Sequence, residues 1–209
     1  MVKDWVRWHE DYEAPGSSLS RRLAVVREQL GGALAEGPKS LLSICAGDGR
    51  DVLPMLASEP GGRSVRALLA ELDAELADRA RAAAAGLDLP LVEVRTADAG
   101  ATATYADVEP VDVLLACGVF GNVAEADMSR TVAALPALTN PGAIVIWTRG
   151  RGDEGADPSV EVRARFRAEG FTELAFVAPD DARFRVGVCR RSGGDPVRLP
   201  AVPRLFSFG

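Results

Sequence analysis

The residues able to do chemistry cluster after short apolar runs. Behind Ser40–Ala46 come Cys45-Ala46-Gly47-Asp48-Gly49-Arg50-Asp51. Glycines there let a backbone approach a ligand closely, and the helix that follows offers free N–H groups. The same glycines also serve any tight strand-to-helix turn. Glu71 stands 22 residues beyond Gly49 and closes the next apolar run. An acid at that distance from a glycine turn is placed to accept from ribose hydroxyls. Asp73, two residues on, is a good N-cap for the next helix, so the ribose is assigned to Glu71. Asp98, in Thr96-Ala97-Asp98-Ala99, can accept from an exocyclic amine such as that of adenine, or cap a turn.

Further along, Cys117-Gly118-Val119-Phe120-Gly121-Asn122 suits a close-packed cleft wall. Trp147-Thr148-Arg149 ends another run; Trp147 reads as core, and Arg149 must be solvated or bound to an acid. Near the N-terminus Trp5, Trp8, His9 and Tyr12 form a dense aromatic group. Both tryptophans can pack on the body of the protein, while His9 or Tyr12 can act as proton acceptor or touch a reacting group. Arg22, on the buried side of its helix, is expected to meet a carboxylate, from a side chain or from a ligand. Cys45, Cys117 and Cys189 lie in apolar surroundings at spacings that fit no zinc pattern, so no metal site is expected and the thiols read as reduced and buried. His9, the one histidine, is the only base a nucleophilic cysteine could use.

The elements that must position these groups follow from punctuation and period. Ser17 or Ser18 caps a helix whose stripe is Leu19, Leu23, Val26 and Leu30, and Gly31-Gly32 is expected to stop it. Strands are expected at Ser40–Ala46, Val65–Glu71, Leu91–Arg95, Val111–Cys117 and Ala143–Thr148. Helices are expected at Arg50–Ser58, which Pro54 shortens, at Asp73–Ala85 and at Ala124–Leu138. Near-continuous apolar strands separated by helices imply an α/β doubly wound, Rossmann-like parallel sheet with right-handed crossovers. A helix at Ser159–Glu169 then precedes Phe171–Val177 and Phe184–Cys189. The short turn between those two strands forces an antiparallel hairpin, because a parallel crossover needs a dozen residues or more. The divisions are an N-terminal helical extension or lid over 1–38, the main domain over 39–191, and a Pro- and Gly-rich tail over 192–209 expected to pack loosely.

Composition narrows the partners. The chain has 209 residues, 47% hydrophobic and 26% charged, ordinary for one globular domain. Its net charge of −6, with no basic run longer than two, disfavours nucleic acid. It holds no apolar run long enough for a membrane span and no secretory leader, so the expectation is a cytoplasmic protein, as monomer or homodimer. Basic residues are almost all Arg, which suggests a GC-rich, bacterial genome.

Taken together these residues resemble the class I S-adenosylmethionine-dependent methyltransferase family over about Lys39 to Arg190. The glycine motif is Leu41-Leu42-Ser43-Ile44-Cys45-Ala46-Gly47-Asp48-Gly49-Arg50, the ribose acid matches Glu71, the adenine acid Asp98, and the fourth motif Asp112 through Phe120. The hairpin strand Phe184–Cys189 is the family's hallmark. Two positions depart from the pattern: Ser43 replaces an acid that would order the loop or the methionine amine, and Cys45 replaces the first glycine. The resemblance implies a seven-stranded sheet, S-adenosylmethionine as cofactor and S-adenosylhomocysteine as product. It implies cofactor contacts from Cys45, Ala46, Gly47, Gly49, Glu71, Leu72, Asp98, Ala99, Cys117 and Gly118. The substrate side falls to Tyr12, Arg22, Phe120, Asn122 and Arg149, and catalysis to His9 and Tyr12. No Asp/Asn-Pro-Pro-Tyr/Phe pattern follows the fourth strand, which with the acidic balance points to a small-molecule acceptor. Three alternatives stand beside this reading. One is a non-catalytic protein of the same fold acting through a partner. Another is a protein or nucleic-acid methyltransferase. The third is a nicotinamide-dependent oxidoreductase, whose G-x-G-x-x-G fingerprint fails here at Val52.

Overall fold

The computed structural model describes residues 12, 14, 16–152, 157–194 and 197–208. Seven strands form one sheet in the order β3-β2-β1-β4-β5-β7-β6. They are β1 Ser40–Ile44, β2 Arg66–Glu71, β3 Val92–Thr96, β4 Val111–Ala116, β5 Thr139–Gly150, β6 Phe171–Val177 and β7 Phe184–Arg191. The first five run parallel, whereas β7 is antiparallel to both β5 and β6. The order reverses between β1 and β4, and that switch point opens a crevice at the strands' carboxyl ends.

Alternation along the strands divides the core into two layers. Leu41, Leu69, Val113, Leu115, Ile144, Ile146, Val186 and Val188 face one side. They are covered there by α1 (Ser18–Ala35), α2 (Leu53–Ser58) and α3 (Ala74–Gly86), through Val26, Leu30, Leu34, Leu56, Ala80 and Ala84. Leu42, Ile44, Leu114, Ala116, Val145 and Trp147 face the other side, under α4 (Glu125–Leu138) and α5 (Ser159–Ala168). Trp147 is a core residue. Its indole stacks on Phe166 at 5.8 Å and lies against Gly187, where a Cβ would fall 2.2 Å from the ring.

The caps follow ordinary chemistry. The Ser17 hydroxyl accepts from the Ser20 N–H (3.0 Å), and Asp73 accepts from the Glu75 and Leu76 N–H groups (2.9 and 3.1 Å). Pro54 sits in the first turn of α2, where its missing N–H costs nothing.

Three expectations need correction. Helix α1 does not stop at Gly31-Gly32 but continues to Ala35, because Ala33 and Leu34 bury against the sheet and outweigh the propensity cost of two glycines. Strand β5 starts at Thr139, before Ala143, through an irregular register opposite Val111 and Val113. The tail is also not loose. The Leu205 N–H donates to the Gly100 carbonyl (2.7 Å), the Thr102 N–H donates to that of Pro203 (3.1 Å), and Leu205 and Phe206 are 1% and 2% exposed. Its Pro- and Gly-rich composition hid a short apolar plug that fills the sheet face beside α4. Among the described residues no helix is long and apolar enough to cross a membrane.

Candidate active site

A cavity of about 560 Å³ opens at the carboxyl ends of β1 to β4, within the size range of small-ligand sites. Its floor is the loop after β1. Gly47 and Gly49 take positive φ (58° and 73°), and Cys45 does so too at 55°. Gly49 lies beneath the cavity, where a Cβ would meet Leu53 and Leu69 side-chain carbons at 2.7 and 2.9 Å. The departure at Cys45 therefore keeps the backbone of a glycine while adding a side chain to the cavity wall, at a cost in strain.

Glu71 is fixed from both sides. Its Oε2 accepts from the Gly47 N–H and its Oε1 from the Asp73 N–H, each at 2.8 Å, and the residue is 9% exposed. One carboxylate thus ties the glycine loop to the end of β2 and keeps lone pairs toward the cavity. Asp98, after β3, accepts from the Gly100 N–H (2.8 Å) and pairs with the Arg204 guanidinium (2.7 Å). Leu72, 63% exposed, is an apolar rim between them.

The opposite wall carries Tyr12, Arg22, Arg50, Asp51 and Cys117. The Arg22 guanidinium donates to the Tyr12 hydroxyl, and the Arg50 guanidinium lies 4.6 Å from the centre of the Tyr12 ring. Burial pushes the Tyr12 phenol up to about 12 against the opposing pull of Arg22. At neutral pH it is a neutral hydroxyl that accepts from Arg22. Asp51 has a buried Oδ1 with no hydrogen-bond partner, and burial pushes its carboxyl up to about 6. Backbone hydrogen bonding and the charges of Arg22 and Arg27 oppose that rise, and Asp48 adds to it. Burial also holds the Cys45 and Cys117 thiols well above the usual thiol range, so neither is a nucleophile at neutral pH.

Of the residues assigned by sequence, Tyr12, Arg22, Cys45, Ala46, Gly47, Glu71, Leu72, Asp98, Ala99, Cys117 and Gly118 meet at this one cavity. Gly49, packed against Leu53 and Leu69, and Phe120, Asn122 and Arg149 do not line it. Phe120 is buried in the core between Trp147 and Phe166, each 6.2 Å away. Asn122 turns back to donate to the Gly118 carbonyl (2.6 Å). Arg149 is half-buried and donates to the Phe120 carbonyl (2.6 Å), with no carboxylate ion pair among the described residues. Beyond Gly118 the chain after β4 folds back on the core, so Phe120 and Asn122 brace the cleft wall instead of lining it. Asp112 lies at the far end of β4, where it accepts from the Lys39 N–H (2.8 Å) and from Asn140 (2.8 Å) and clamps strand starts together. His9, with Trp5 and Trp8, lies outside the described residues. Among the described residues no cluster suited to a metal ion occurs.

Sequence reading named Asp51 within the glycine loop but gave it no role, and it missed the tail residues Arg204, Phe206, Ser207 and Phe208, which line the cavity beside Asp98. The signal available was Leu205-Phe206 and Phe208, an aromatic-rich apolar cluster at the end of the Pro- and Gly-rich tail.

No family model matches the chain, and no curated protein matches its sequence. Solved structures do match. Magnesium protoporphyrin IX methyltransferase from Synechocystis PCC 6803 with bound SAM superposes with a TM-score of 0.70 at 12% identity, over 91% of this chain and 92% of that one. An O-methyltransferase family protein from Burkholderia thailandensis gives 0.69 at 14% identity, over 84% of this chain but only 57% of its own length. The [4+2]-cyclase SpnF gives 0.64 at 12% identity, over 84% and 82%. Five parallel strands closed by a reversed β7, matched over 84–91% of the chain, leave one architecture: the chain has the fold of the class I S-adenosylmethionine-dependent methyltransferases.

Proposed function

We propose that this protein binds S-adenosylmethionine in the cavity at the sheet's switch point and transfers its methyl group to a small-molecule acceptor. The observation that carries the reading is the pairing of Glu71 and Asp98. Both are carboxylates on one cavity wall, at the ends of adjacent strands beside a glycine loop. That set fits an adenosyl ligand. Glu71 would accept from the ribose hydroxyls and Asp98 from the exocyclic amine, with Leu72 against the sugar and base. On the opposite wall the unpartnered Oδ1 of Asp51 is an acceptor for an ammonium group. It would supply the charge that Ser43, buried within β1, does not.

The bound cofactor supplies an electrophilic methyl on a sulfonium, and the protein's part is to place an acceptor in line and keep water out. Tyr12 and Arg22 bound the side from which an acceptor would approach. Tyr12, neutral and held by Arg22, orients and donates instead of taking a proton. The net charge of −6 and the size of the cavity, about 560 Å³, support a small acceptor over a nucleic acid.

Calorimetric titration with S-adenosylmethionine, S-adenosylhomocysteine and NAD tests the reading. Binding of both adenosyl ligands and not NAD is expected. Glu71→Gln should weaken adenosyl binding by about 1–3 kcal/mol, the scale of a charged hydrogen bond. Unchanged affinity in a folded Glu71→Gln protein would refute the ribose assignment. A second reading keeps the pocket and drops methyl transfer. It draws on the likeness to a [4+2]-cyclase and predicts adenosyl binding without methyl consumption across an acceptor screen.

A further inference from the structure

The tail that composition alone would leave loose is docked across one end of the cavity. The Leu205 N–H bonds to the Gly100 carbonyl (2.7 Å), Ala101 and Arg204 form an antiparallel bridge, and the Ser207 N–H bonds to Asp127 (3.0 Å). Gly100 is bare because the strap needs it to be: a Cβ there would fall 2.2 Å from the Phe206 carbonyl oxygen. Phe206 is buried in the core, while Phe208, 5.6 Å from it, is 39% exposed at the cavity's edge. Arg204 reaches back to Asp98 at 2.7 Å, and its Nε bonds the Ser207 hydroxyl at 3.1 Å.

We propose that residues 204–208 are the purine-recognising wall of the cavity. The Phe208 ring covers the face of an adenine, and Arg204 fixes Asp98 so that its carboxylate accepts from the exocyclic amine. This rests on the adenosyl-ligand reading above and adds the element that selects the base. The physical case has three parts. An aromatic ring at a cavity edge gives a purine a stacking surface that water does not. A carboxylate held by one backbone N–H and one guanidinium has no rotational freedom left to lose on binding. A site built to accept from an amine rejects the base that presents a carbonyl there, because two acceptors would then face each other.

The test is calorimetry of the full chain with S-adenosylhomocysteine, adenosine and inosine as probes, on wild type, Phe208→Ala, Phe208→Trp and Arg204→Met. Wild type should bind adenosine in preference to inosine. Phe208→Ala should lose about tenfold in affinity for every adenine ligand, as removal of a stacking ring does, and Phe208→Trp should restore it. Phe208 also packs on Phe206, so the melting temperature of each variant is measured alongside and only affinities of variants that melt with wild type are compared. Arg204→Met should narrow the adenosine-to-inosine preference more than it weakens adenosine. If wild type binds S-adenosylhomocysteine and Phe208→Ala binds it equally well, with the base preference intact in Arg204→Met, the strap has no part in recognition and the inference is overturned while the cofactor reading stands. If wild type binds no adenine ligand, the cofactor reading falls and takes this one with it.

Discussion

Replacing Asp51 with Asn should stabilise the protein at neutral pH, by an amount that vanishes in acid. The Asp51 carboxyl moves from an ordinary 3.8 up to about 6 on folding, chiefly through burial, and its Oδ1 has no partner. Between those values the folded protein keeps a proton that the unfolded chain has released. Stability therefore falls as pH rises from about 4 to about 6 and stays reduced above. The full deficit at pH 7 is about 3 kcal/mol, at 1.36 kcal/mol for each unit of the shift. Asn keeps the shape and carries no charge, so Asp51→Asn should recover up to that amount at pH 7 and nothing near pH 3.5. The groups facing Asp51 are Tyr12, Arg22, Arg27, Asp48 and Cys117. The arginines already offset part of the burial, and about 3 kcal/mol is what remains after that offset. Other carboxylates, among them Asp112, Asp157 and Glu173, are held below their ordinary range and give the opposite slope, losing stability as pH falls. The difference between variant and wild type removes their share. Urea unfolding of both proteins from pH 4 to pH 8 measures it. Curves that stay parallel at every pH, or a variant less stable than wild type at pH 7, would refute the reasoning. A charge that costs stability at a cavity wall is the mark of a group kept for a ligand, so the same variant should bind S-adenosylhomocysteine more weakly while binding adenosine as before.

Cys45→Gly should be more stable than Cys45→Ala by about 1 kcal/mol in chemical denaturation, since only glycine is at ease at a φ of 55°; equal stabilities would mean that the loop relaxes. Gly187→Ala drives a methyl into the Trp147 indole at 2.2 Å and should cost at least about 3 kcal/mol, with Trp147→Leu in the same chain recovering part of the loss. The Cys45 and Cys117 thiols, raised by burial, should resist iodoacetamide at pH 7.5 in the native state and react on unfolding; rapid native labelling would contradict the burial argument. Gly100→Ala should lift the strap from the Gly100 edge, which increased binding of a hydrophobic dye and a weaker hold on adenosine would report.

Much of this protein is legible in the chain alone, for local reasons. Apolar runs of strand length between helical stretches dictate a parallel sheet, and the six residues between Val177 and Phe184, too few for a parallel crossover, dictate the reversed strand. The glycine turn and the acids at 71 and 98 fall at strand ends because a parallel sheet puts its loops there. Side-chain direction beyond those ends depended on where the chain returns. Phe120 and Asn122 follow β4, and Arg149 lies near the end of β5; all three look outward on paper, yet the backbone after β4 curls onto the core, so that they meet Trp147, the Gly118 carbonyl and the Phe120 carbonyl. Helix α1 passes through two glycines because the sheet offers Leu34 a place to bury, which no window of sequence contains. The strap is the clearest case. Its contacts join residues about a hundred positions apart, Asp98 with Arg204 and Gly100 with Leu205. Only the closed tertiary structure, by setting the apolar sheet face beside α4 next to the cavity, decides that the last residues of the chain become one of its walls.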